Sequence, residues 1–133
     1  MLNNGANISV VAGGDINPAR FVKVSTAADF RVLEANAGES VIGISQLASR
    51  AVPQGDNSTL AASAGESLGV FGQGQECYLT LGTTVTAGVL LASDNSGCGV
   101  VAADDDWVGG QALQSGVAGD LIRVIVDLHQ LEG

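Results

Sequence analysis

Basic residues are scarce in this chain: five Lys and Arg face fourteen Asp and Glu, a net charge of −9 over 133 residues. Nucleic-acid binding needs a basic surface that displaces counterions, and an anionic membrane surface makes the same demand, so the balance argues against both partners. His129 is the single histidine, four residues from the last residue. No two-His metal site can form, no Cys-x-x-Cys occurs, and a nucleophile–base dyad would have to use that terminal imidazole. Two cysteines, Cys77 and Cys98, do not make a disulfide framework. Each falls in an apparent strand, where a buried free thiol is the expectation, with a bridge between them left open.

Aromatic side chains are also few: Phe21, Phe30, Phe71, Tyr78 and Trp107. Carbohydrate-binding modules present several rings to sugar faces, and this chain has few to spare once a core is filled. No basic stretch followed by an apolar one opens the sequence, so no signal peptide is expected. The longest uncharged run, Cys77 to Ser93, contains two Gly and five Thr or Ser and reads as two strands around a turn rather than a membrane span.

What the chain does have is small and β-branched apolar residues, within a hydrophobic content of 46%, together with nineteen glycines and only two prolines. That composition suits pleated sheets joined by tight turns and is sufficient for one domain with a core. Three turns nearly repeat: Ala37-Gly38-Glu39-Ser40-Val41, Ala64-Gly65-Glu66-Ser67-Leu68 and Ala118-Gly119-Asp120-Leu121-Ile122. In each, Gly supplies an unusual backbone dihedral, the acid is expected to sit solvated at a strand entrance, and an apolar strand follows. Strand signals cover 21–25, 30–33, 41–45, 68–71, 76–81, 89–92, 99–102, 107–113 and 121–128, and Gly interrupts every candidate helix. The fold class is therefore all-β: a single small β-sandwich or β-barrel-like domain of about ten short strands with Gly-rich turns. Residues 1–15 read as an N-terminal arm around the short apolar stretch Ile8–Val11, and residues 16–133 as the β domain. Residues 46–63, polar and irregular, read as a long exposed loop of the kind that often carries contacts.

A longer echo runs through the chain. Phe21–Ser25 resembles Val89–Ser93 and Val32–Ala35 resembles Val100–Ala103, both at an offset of 68. Ile42–Ile44 then matches Val108–Gly110 with a deletion of two residues. Two related β-hairpin units would explain it, and so would chance similarity among Val- and Ala-rich strands.

No catalytic constellation emerges. Asp104-Asp105-Asp106 lacks EF-hand spacing and reads as a solvated turn. Gly69–Gly74 has neither a Lys nor a following helix, so it is no phosphate loop. The acids fall in scattered turns rather than as a pair in a cleft. No cofactor or metal is expected, and the chain reads as a non-enzyme.

Ile16-Asn17-Pro18-Ala19-Arg20-Phe21-Val22-Lys23-Val24, the Ala-Gly-Glu-Ser turns, and Gly109-Gly110-Gln111-Ala112-Leu113 ahead of Ala118–Ile125 together resemble the capsid decoration (cement) proteins of tailed bacteriophages. The resemblance spans roughly residues 15–127, apart from loop 46–63, which has no match. It implies a structural virion protein on the outer capsid surface, made in the bacterial cytoplasm, a homotrimer seated where capsomers meet, and the major capsid protein as partner. Another phage structural β domain, such as a tail tube or fibre base, and a carbohydrate-binding module remain as alternatives.

Charge divides unevenly. Residues 1–66 hold four bases and six acids, whereas residues 67–133 hold one base and eight acids. A shell-facing base would then carry Arg20, Lys23, Arg31 and Arg50. The arm would add Leu2, Ile8 and Val10 by pairing with a neighbour's sheet edge. Trp107 is the candidate oligomer anchor, because interfaces are enriched in Trp.

Overall fold

The computed structural model describes residues 8–26, 29–46, 61–103 and 106–130. The chain is all-β, and no helix occurs among the described residues. Ten strands follow in order: β1 (Ile8–Ala12), β2 (Phe21–Val24), β3 (Arg31–Glu34), β4 (Gly43–Ser45), β5 (Ser67–Phe71), β6 (Glu76–Thr80), β7 (Leu90–Ser93), β8 (Gly99–Val101), β9 (Trp107–Ala112) and β10 (Leu121–Gln130). The first five close into a barrel in the order β1-β3-β2-β4-β5, and the last five form a sheet in the order β6-β10-β9-β7-β8.

These two sheets are the same design used twice. β2 pairs antiparallel with β3 and β4, and β7 does so with β8 and β9. β5 joins β4 to β1, and β10 joins β9 to β6. A parallel contact of β1 with β3 closes the first unit, and a single parallel bridge between Leu81 and Gly99 stands at the matching place in the second. Connecting bonds match as well. Ala12 donates to Glu66 O and accepts from Gly65 N, as Leu81 donates to Asp120 O and accepts from Gly119 N, at 2.8–2.9 Å. The sequence echo is thus real, but its register is corrected by one residue. Phe21 corresponds to Leu90 and Val32 to Gly99, because runs of Val, Leu and Ala match each other at several offsets. In a strand a one-residue slip exchanges the buried and exposed faces.

Residues 8–12 are also corrected. Expected as part of an arm, they are a stave of the barrel, bonded to β5 on one side and β3 on the other. Residues 1–7, and residues 47–60 of the expected long loop, lie outside the described residues.

One core cluster fills the barrel, with Ile16, Val22, Val32, Leu68 and Val70. The larger cluster belongs to the second unit, with Leu79, Leu81, Leu91, Ile122, Val124 and Val126, but it also takes in Phe21, Ala35, Val41 and Ile44 from the first. Period-2 alternation explains this: Val22 points into the barrel, so Phe21 points out of it and into the neighbouring core. Phe21, fully buried, lies where a Cβ on Gly109 would meet its ring, so only Gly permits that approach. Backbone bonds reinforce the junction, from Phe21 N to Gly97 O at 2.7 Å and from Thr80 N to Ala19 O at 2.9 Å.

The acids of the repeated turns are not merely solvated. Glu39, Glu66 and Asp120 each turn back to accept the backbone N–H three residues earlier, from Asn36, Ser63 and Val117, at 2.7–2.9 Å. Asp106 does the same for Ala103 at 2.8 Å. The Gly before the acid in the second and third turns holds φ of 87° and 90°, which allows the chain to reverse.

Candidate functional site

The proposed shell-facing residues separate on the structure. Arg20 lies at the junction between units, where its Nη1 donates to Ser96 O at 2.9 Å. Lys23 is held by Glu39 at 2.7 Å, and with Asn36 N–H this contact pulls the Glu39 carboxyl below the usual carboxylate range. Both cations therefore serve internal contacts. Arg31 stands on β3 in register with Val11. Val10 packs against the barrel core, and Ile8 is in register with Val70. Leu2 and Arg50 lie outside the described residues, as do Asp104 and Asp105. Trp107, 39% exposed, opens β9 opposite Gln130.

Among the described residues Phe30 is the most exposed large apolar side chain, at 79%, and sits beside Arg31 at the start of β3. Its φ is +59°, a region that bulky residues avoid. The matching position of the second unit is Gly97, φ +76°, and the other non-glycine residue of the first unit with positive φ among the described residues, Ala19, matches Gly88. A bulky aromatic is thus kept where the sister unit places glycine. Val24, 57% exposed, lies at the nearby end of β2.

A second surface was not foreseen in the sequence. Tyr78, Leu113, Val117 and Leu121 are 39–54% exposed on and beside the outer face of β6 and β10. Arg123 lies directly opposite Tyr78 in register. Every residue from Leu121 to Val126 except Arg123 is apolar, so composition does not say which of them face outward; pairing with β6 decides it.

Chemical groups are sparse. An open cleft of about 230 Å³ is lined by Phe71, Glu76, Cys77, Tyr78 and Arg123. Burial pushes the Cys77 thiol up to about 12, with Glu76 adding to the rise, so it does not ionise at neutral pH. Cys98 is likewise raised by burial, and the two cysteines are free thiols rather than a bridge. His129 Nδ1 lies 3.6 Å from Asp127 on the exposed end of β10. Among the described residues no three His, Cys, Asp or Glu side chains gather as a metal site would need. No helix among them is long and apolar enough to cross a membrane.

No family model matches the chain, and no curated protein matches it. A solved structure does: the N base of head fibre gp8.5 of bacteriophage phi29, at a TM-score of 0.57 and 17% identity, covering 96% of this chain and 98% of that one. At that identity the likeness establishes the shared fold.

Proposed function

We propose that this chain is a structural virion protein of a tailed phage, bound to the outer surface of the head. It acts by adhesion rather than by catalysis. The observation that carries the reading is the end-to-end likeness to a head-fibre base, which spans nearly the full length of both chains. The resemblance of its turns and strands to decoration proteins points to the same surface, and a fibre-base role fits the structural likeness equally well. The partner in this reading is the major capsid protein, and the chain works as a closed homo-oligomer, a trimer by the family resemblance, whose copies repeat one interface around the ring.

Phe30 with Arg31 is the head-facing contact in this account. A strained, solvent-exposed aromatic is retained where the fold is satisfied by glycine, and such outliers concentrate at contact sites. Arg31 supplies the cation that Arg20 and Lys23, committed to internal contacts, do not. Cryo-electron microscopy of the native particle tests the role: density matching the two-unit fold on the outer head surface supports it. The same density inside a tail tube, or on no particle, overturns it.

A further inference from the structure

A head-to-tail contact between like units can be repeated without limit unless something ends it. Here the first unit enters the second as a wedge. Thr80 N donates to Ala19 O and Phe21 N to Gly97 O, at 2.9 and 2.7 Å, so residues 19–21 stand between the end of β6 and the start of β8. The counterparts of Thr80 and Gly97 in the first unit are Val11 and Phe30, and there Val11 N donates directly to Phe30 O at 2.9 Å. The donor and acceptor that would receive a preceding unit are paired with each other, and the first sheet is closed where the second is wedged open.

Side chains differ in the same sense. A Cβ on Gly97 would stand 2.9 Å from Phe21 O and 3.2 Å from Arg20 Cβ, so glycine is needed where the second unit receives the first. The first unit has Phe30 at that position. Gly109 likewise leaves room for the Phe21 ring. The pairs Phe21–Ile44 and Leu90–Gln111 match, which makes Ile42 the counterpart of Gly109, and Ile42 packs against the barrel core instead. Glycine thus stands where a unit is received, and a bulky residue where none is.

The opposite end is altered too. Phe21 and Ile44 are the fully buried side chains that the first unit inserts into its neighbour's core. The second unit has Leu90 and Gln111 in their places. Gln111 Nε2 donates to Gly88 O at 2.9 Å and so occupies the carbonyl that matches Ala19 O.

We propose that Phe30 and Ile42 at one end, and Gln111 at the other, cap the pair of units and bar open-ended stacking of chains. Stacked repeats need end units whose outer faces differ from their joined faces, and a heterologous contact that does not close on itself builds fibres. The cap also accounts for the strained φ of Phe30, which glycine would relieve. The inference concerns a contact that the wild type does not make between chains. It rests neither on the virion reading nor on the number of chains in a closed oligomer.

Sedimentation and light scattering of the full chain carrying Phe30→Gly, Ile42→Ala and Gln111→Ile test it. The wild type is expected to reach a fixed mass that further concentration does not raise. The weight-average mass of the uncapped variant is expected to climb to at least about twice that value, without a plateau, as open-ended stacking requires. Far-UV circular dichroism matching the wild type shows that the variant is folded. Should the Ile42 change prevent folding, Phe30→Gly with Gln111→Ile, which leaves both core clusters untouched, is expected to grow in the same way at higher concentration. A wild type whose own mass climbs without limit, or folded uncapped variants that keep the wild-type mass throughout, overturns the proposal.

Discussion

The two units share one topology and differ in what they do with it. The first is a closed barrel with its own core, and it sends Phe21 and Ile44 outward into its neighbour. The second is a five-stranded sheet with a single parallel bridge where the first has its closing ladder, keeps glycine at the positions where the first strains Ala19 and Phe30, and exposes Leu113, Val117 and Leu121 where the first has Gln46, Ser63 and Ser67. A duplicated unit separates fold from function in this way. Features common to both copies, such as the back-bonded acids and the positive-φ turns, are what the architecture needs. Features present in one copy are surfaces free to serve another purpose.

The largest expected effect comes from breaking the junction. Phe21→Ala removes a fully buried ring and should cost about 3–5 kcal/mol in a denaturant titration. Because Phe21 belongs to the second unit's core, Trp107 fluorescence and far-UV circular dichroism should still report a single transition for the wild type. Separate transitions would mean that the units fold independently. Gly109→Ala presses a methyl into the same ring and should cost about 1–3 kcal/mol, with Phe21→Leu partly relieving it.

Equivalent turns should respond equally. Gly65→Ala and Gly119→Ala place a Cβ on positive-φ backbone and should each cost about 1–2 kcal/mol by thermal unfolding. Unequal losses would show that the matched turns are not energetically alike. The Lys23–Glu39 pair has no counterpart in the second unit's ion pairs among the described residues. The Glu39 pKa is depressed in the folded state, so its contribution is present above the ordinary carboxylate pKa and is lost as pH falls through the folded value. Glu39→Gln should therefore narrow the stability difference between neutral and acidic pH, by at most about 1 kcal/mol for so exposed a pair.

Much of the fold was legible in the chain. Nine of the ten strands, β2 to β10, fell close to where apolar runs between Gly turns put them, and the echo of β2, β3 and β4 in β7, β8 and β9 was visible. β1 and β6, Ile-Ser-Val-Val-Ala and Glu-Cys-Tyr-Leu-Thr, share no residues in register, so that part of the repeat emerged only from pairing. The stave Ile8–Ala12 read as an arm because polar Asn and Gly precede it and its partners, β3 and β5, are distant in sequence. Charge alone proposed Arg20 and Lys23 as contacts, since a sequence does not show that Ser96 and Glu39 occupy them. The apolar face escaped notice because Leu121 looks like any core strand residue until register turns it outward.

Hydrogen exchange at two protein concentrations compares the units most directly. As the protein assembles, amides of residues 115–121 in the second unit should gain protection, while those of the matching first-unit segment 61–67 should exchange unchanged. Equal gains in both units, or gains in the first alone, would contradict the view that one copy of the repeat was turned into a contact surface and the other kept the fold.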